Sequence, residues 1–211
     1  MAAQKGHEIP TIDVVLVTVQ EQGVESAPEI GLNTASKIAV SPQLETNDAI
    51  KLIVKGTLIA QKPVQNILTG NAITLTDNVF NPELVQMFQG GVVKYWGEAG
   101  HTTEVAEDKG YGVARYTPPV ASSGLKGKLF TTKAYSAIYN AAGVITGYEC
   151  ISYPNCQGVP ISLSAEDDVF RVSEYTINSA PAEDESPYEI TYLGPNDLPT
   201  VNPTPQAPLD H

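Results

Sequence analysis

The stretch TDNVFNPELVQMFQGG, residues 76–91, constrains this chain most, because helix start and stop signals coincide only there. Asn81 is placed to cap, its side-chain oxygen accepting a free amide of the first turn. Pro82 follows at the first helical position, where a missing N–H costs nothing. Glu83 sets a carboxylate at the positive end of the helix. Phe80, just before the cap, is spaced to pack on Val85 as a hydrophobic staple. Leu84, Met87 and Phe88 share one face at i, i+3 and i+4. Gly90 can take the left-handed conformation that ends the helix. The spacing predicts a helix over residues 82–89, two turns long. Isolated helices need roughly 12–15 residues to hold in water. This one must lie on other structure, and the rest of the chain reads as β.

Read in order, residues 1–10 form a small polar N-terminal arm ending in Pro10. Residues 12–19, IDVVLVTV, are β-branched and predict a strand buried on both faces for part of its length. Residues 21–37 predict a loop, and a strand starting at Ile38 is expected to break at Ser41-Pro42. Residues 49–61, AIKLIVKGTLIAQ, alternate around Gly56 and predict a tight hairpin or one bulged strand. A short strand over 71–76 feeds the helix and another over 92–96 leaves it.

Residues 97–127 carry little pattern and predict a long excursion loop reaching outside its own domain. Residues 129–139 and 144–153, joined by Asn140-Ala-Ala-Gly143, are the clearest hairpin. Apolar side chains stand on both faces of its first strand: Phe130, Ala134 and Ile138 on one, Leu129, Tyr135 and Tyr139 on the other. Both faces are therefore expected to meet protein. Strands are also expected over 159–163, 169–177 and 188–193. Residues 194–211 hold five prolines and predict an extended tail. The domain reading is one β domain over 11–193, flanked by the arm and the tail. A single all-β domain of 211 residues is within the usual range.

Charge narrows the function. The net charge is −12, and it is uneven: residues 1–133 hold 11 basic and 13 acidic side chains, whereas residues 134–211 hold Arg171 alone against 11 acidic ones. A duplex-binding protein needs a basic footprint to displace counterions, and this chain lacks one. Cys150 and Cys156 are too few for a disulfide scaffold, and C-x5-C matches no zinc pattern. His7, His101 and His211 lack ligand spacing. The acidic runs at 166–168 and 183–185 lack the ligand alternation and glycine of a calcium loop, and read as solvated turns. No nucleophile elbow, phosphate loop, dinucleotide fingerprint or zinc-protease motif occurs. The chain is read as a non-enzyme with no cofactor and no metal. The start carries no apolar signal core, and nothing reaches the ~18 apolar residues of a membrane span.

Three segments resemble a known family. ITLTDNVFNPELVQMFQGG (73–91), GKLFTTKAYSAIYNAAGVITGYECISYPNCQG (127–158) and VFRVSEYTINSAP (169–181) look like the tail tube, or major tail, proteins of tailed bacteriophages, nearest to those of long-tailed phages of Gram-positive hosts. The resemblance covers roughly residues 50–193. It implies a β-sandwich or partly rolled barrel with one short flanking α-helix. Six copies would close into a ring, their inner sheets joining into one hollow lumen, and rings would stack into a tube conducting DNA during ejection. The implied partners are other copies, the tape measure protein and phage DNA in the lumen, and the tail terminator and distal tail proteins. A sheath protein would join them only in a contractile tail, and no membrane is involved. The implied location is the virion, the chain being made in the host cytoplasm.

The acidic bias suits this reading, since a negative lumen repels DNA phosphates and a passing duplex does not stick. Glu149, Glu166, Asp167, Asp168 and Glu174 are the lumen candidates. Phe80, Asn81, Pro82, Leu84, Val85 and Phe88 are the packing residues of the helix. The alternative is a β-sandwich that binds a surface glycan, which needs the ten tyrosines to converge. A hydrolase would need two carboxylates within roughly 5–10 Å in one pocket.

Overall fold

The computed structural model describes residues 8–24, 27, 29–46, 51–55, 57–62, 64, 66–95, 113–163, 167–182 and 184–201. It is mainly β, with one short helix. Twelve strands are described: β1 (Thr11–Glu21), β2 (Glu29–Leu32), β3 (Ala35–Thr46), β4 (Lys51–Val54), β5 (Thr57–Gln61), β6 (Asn66–Asp77), β7 (Val92–Tyr95), β8 (Val113–Thr117), β9 (Phe130–Tyr139), β10 (Ile145–Gly158), β11 (Ser173–Ser179) and β12 (Glu189–Leu193). The helix α1 spans Pro82–Gln89. No helix among the described residues is long and apolar enough to cross a membrane.

The main sheet runs β2-β1-β9-β10-β11-β6-β3, all antiparallel, and does not close into a barrel. It forks at β10. The first half of β10 pairs with β12 at Tyr148–Ser152, and its last three residues pair with β11. The sheet curls so that β1 comes back beside β3. Its concave side holds the core: Val17, Val19, Ile73, Leu75, Phe130, Tyr175 and Ile177, all buried, with α1 lying on them.

The helix forms for the reasons legible in its sequence. Asn81 Oδ1 accepts the Leu84 N–H at 3.0 Å, Pro82 opens the first turn, and Gly90 ends it at φ 80°. Leu84, Val85, Met87 and Phe88 are buried, and Phe80 lies half-buried against the same cluster. The Phe88 ring stacks on Phe130 at 5.2 Å between centroids and meets Tyr175 edge-on at 5.7 Å. Tertiary contacts complete both ends. The Tyr175 hydroxyl accepts the Asn81 N–H at 3.1 Å. The orphan carbonyls of the last turn accept from Lys126 N–H (Gln89 O) and Lys128 N–H (Met87 O), and Tyr116 Oη donates to Gly90 O at 2.8 Å.

Several strand limits differ from the sequence expectation. β3 does not stop at Ser41-Pro42 but continues to Thr46. Proline removes a ladder donor, which a central strand cannot tolerate, but β3 is the last strand of the sheet and has an edge to spare. Residues 159–163 are not a strand; β10 instead runs unbroken from Ile145 through the YPNCQG stretch to Gly158. Residues 169–172 are likewise irregular, and β11 begins at Ser173. Within 97–127, residues 97–112 lie outside the described part, while Val113–Thr117 is a strand paired with β7. Residues 51–61 form the hairpin β4-β5.

A bulge in β10 matters for both cysteines. Side chains alternate along a strand, so Cys150 and Cys156, six apart, would share a face. They do not: Cys150 joins Leu16 and Tyr135 on one side of the sheet, and Cys156 joins the main core on the other. The ladder to β9 shifts between Tyr153 and Cys156, where Asn155 has φ 48°. That irregularity reverses the alternation. Both cysteines are free and buried.

Candidate functional site

The lumen candidates do not gather on one surface. Glu174 stands on β11 between buried Ser173 and Tyr175, so it points away from the core. It shares a row with Thr76 on β6 and Lys37 on β3. The next rows on that outer face, Thr176-Thr74-Ala39 and Asn178-Ala72-Ser41, are small and mostly polar. Glu149 lies on the opposite face, because its neighbour Cys150 belongs to the outer cluster. It is half-buried beside Tyr192 of β12. Asp167 and Asp168 are exposed in the turn before β11, Asp168 with φ 61°. Glu166 lies outside the described residues, as do His7, His101, His211, Glu183 and the first seven residues of the arm. Among the described residues no group of three His, Cys, Asp or Glu side chains is arranged to hold a metal ion.

The second face of β1, β9 and β10 carries Leu16, Tyr135 and Cys150, and the chain after β12 covers it. The segment turns at Gly194, whose N–H donates to Asp197 Oδ2 at 3.0 Å, while Asp197 N–H donates to Gly194 O at 3.2 Å. Leu198 and Val201 then lie on the cluster. Gly31 makes room for this: a Cβ there would sit 2.6 Å from Val201 Cγ2. Residues 202–211 are outside the described part. In the variant L198A/V201A the Cys150 thiol should react with a disulfide reagent about 10-fold faster, because local opening costs less once the strap loses its anchors. Cys156, buried on the other face, should not change.

The tyrosines largely build the interior. Tyr135, Tyr148, Tyr153 and Tyr175 are buried, and only Tyr188 and Tyr192 are exposed among the described residues. Burial pushes the Tyr153 hydroxyl from 10.0 up to about 12, with Tyr188 and Cys156 adding to the rise. Burial also raises Tyr135, Tyr175, Cys150 and Cys156. The unfolded chain therefore loses these protons first as pH climbs. Stability should be flat up to the ordinary thiol range near pH 9.0, begin to fall there as the unfolded cysteines ionise, and fall more steeply from about pH 10 to 12 as the phenols follow. Phenolate absorbance should report the exposed tyrosines first and the buried ones together with loss of the β-sheet circular dichroism.

The hairpin β4-β5 is a separate two-stranded sheet at the far end of the β3-β6 pair. Ile53 and Leu58 face each other across it, and with Ile59 they are more than half exposed. Lys51, Lys55 and Lys62 are exposed on the same unit. No acidic residue occurs in the sequence between Asp48 and Asp77. This was a readable signal, three lysines without one carboxylate in an otherwise acidic chain, that strand periodicity alone passed over.

No protein-family model and no curated protein matches this sequence. Among solved structures, a chain of the PVC extracellular contractile injection system, in its sheath–tube complex in the extended state, is 15% identical over 89% of this chain and 93% of that one, with a TM-score of 0.37. A chain of the anti-feeding prophage tube-terminating cap is 12% identical over 92% of this chain and 96% of that one, TM-score 0.34. A chain of the anti-feeding prophage baseplate is 9% identical over 92% and 98%, TM-score 0.31. All three scores lie below 0.5, so the likeness is partial.

Proposed function

We propose that this chain is a structural subunit of a phage-type tail, copies of which close into six-membered rings and stack into a hollow tube that conducts DNA. The observation that carries the reading is an open, curled sheet that leaves its edges unpaired. Among the described residues β3 pairs only with β6, and β2 only with β1. Long unpaired edges invite further pairing, and a ring of identical copies removes them. The resemblance of residues 73–91, 127–158 and 169–181 to phage tail tube proteins supplies the identity of such a ring. Among the described residues no site geometry calls for catalysis, and in this reading the chain's work is assembly.

In this reading the smooth outer face of β3, β6 and β11, with Glu174 on it, faces the lumen. Asp167 and Asp168 in the adjoining turn add negative charge. The face carries one exposed cation in the rows named, Lys37, against Glu174, Asp167 and Asp168, so a wall of mostly short polar side chains with net negative charge gives DNA phosphates little to hold. The domain reading goes with it, with one change: the expected tail over 194–211 begins as a strap, since residues 194–201 lie on the chain's own sheet, so the body over 11–201 forms the ring and the segments 1–10 and 202–211 reach neighbouring copies. Tape measure protein and DNA occupy the lumen in turn, and terminator and distal tail proteins cap the ends. The particle is a virion of a long-tailed phage of Gram-positive host type.

Electron microscopy of the purified full chain, concentrated stepwise, tests this. Hollow tubes or six-fold rings are expected. A single monomeric species at every concentration up to the solubility limit would overturn the reading.

A further inference from the structure

We infer that the β4-β5 hairpin is a basic, apolar plug that docks onto the acidic β12 edge of a second copy of this chain; the inference rests on the self-assembly reading above. A lone two-stranded hairpin is marginal in water. This one nonetheless exposes Ile53 (59%), Leu58 (52%) and Ile59 (60%). Apolar residues held out on such a unit gain when a partner covers them. The same unit carries Lys51, Lys55 and Lys62 and no carboxylate.

The complementary surface is on the other half of the chain. β12 is hydrogen-bonded on one side only, to β10, among the described residues. It presents Ile190 (44%) and Tyr192 (52%), with exposed Glu189 beside them. Asp184 and Glu185, both exposed, lead into it. Every charged residue from 173 to 201 is acidic. A free strand edge bearing apolar groups and carboxylates accepts a strand bearing apolar groups and lysines by β-addition, with charge fixing the partner. The plug and the receptor are different patches, so the contact is heterologous and propagates from copy to copy. Duplex DNA is the other anion that lysines attract. Contact with its phosphates leaves the isoleucines and leucine between the lysines uncovered, which favours the protein partner.

Charge reversal in the full chain tests this, read by sedimentation and electron microscopy. The plug variant K51E/K55E/K62E and the receptor variant D184K/E189K should each need ~10-fold or more protein to assemble, since each sets like charges face to face. An equimolar mixture of the two should assemble near the wild-type concentration, because each then meets an opposite charge. Added salt should raise the wild-type threshold. Circular dichroism confirms that each variant is folded before it is scored. Wild-type polymers that persist unchanged in the plug variant overturn the contact and leave the tube reading standing. Two folded, non-assembling variants whose mixture stays monomeric also overturn it. Wild-type chain that stays monomeric throughout overturns both readings. Retention of duplex DNA by wild type, lost in the plug variant while assembly is unchanged, assigns the lysines to DNA instead.

Discussion

Phe88→Ala is expected to cost ~3–5 kcal/mol of folding stability, the range for emptying a buried aromatic site. Phe88 is 2% exposed and is the contact through which α1 grips the sheet. Its ring is stacked on Phe130 with 5° between planes and set edge-on to Tyr175 at 86°. Removing it leaves a cavity lined by two rings that other packing holds in place, so the site cannot collapse. The helix has only eight residues and little stability of its own. At roughly 2–4 °C per kcal/mol for a chain of this size, the melting temperature should fall by ~6–20 °C. Val92→Ala, at an exposed position just after the helix, is the control and should stay within ~0.5 kcal/mol. A loss below ~1 kcal/mol for Phe88→Ala would mean that the helix is not anchored there.

Gly158→Ala should be strongly damaging for a single added methyl, at ~3 kcal/mol or more, near the upper end for overpacking. A Cβ at Gly158 would lie 2.0 Å from Phe88 Cγ and 2.5 Å from Phe88 Cβ. A rotamer change moves the ring but not the Phe88 Cβ, so the helix itself has to shift off β10. The double variant F88A/G158A should therefore recover little of the loss. Gly143→Ala separates steric from backbone effects. Gly143 has φ 76° and nothing within 4 Å of an added Cβ, so it should cost only the ~1–2 kcal/mol of a left-handed alanine. Thermal melts of the three variants, with the near-ultraviolet circular dichroism of the aromatic cluster, decide between these outcomes. Equal losses at Gly158 and Gly143 would contradict the close approach of helix and strand.

What was legible in the residues is what depends on near neighbours. The cap at Asn81, the proline after it, the glycine at 90 and the i, i+3, i+4 face are all local. So is the alternation of 130–139, which correctly implied protein on both faces, although the residues covering Leu16 and Tyr135 come from Leu193, Leu198 and Val201. The division of charge between the two halves was equally plain, and so was the mainly β character; of the β-sandwich or partly rolled barrel that the resemblance implied, the sheet is consistent with the sandwich and does not close into a barrel.

Tertiary structure decided what pairs with what. Pro42 ends a strand only if both edges are in use, and nothing local says that β3 is the last strand of the sheet. Val113–Thr117 becomes a strand because Val92–Tyr95 is there to receive it, across a separation no short window spans. The positive φ at Asn155 reverses which face Cys156 occupies, and no residue pattern before it announces the shift. For the same reason the five acidic candidates could be named but not sorted. Glu149 and Glu174 stand on opposite faces because each inherits its direction from the register of its own strand. Register is set by the long-range pairing of backbone groups, whereas composition and periodicity report only which residues prefer to be covered.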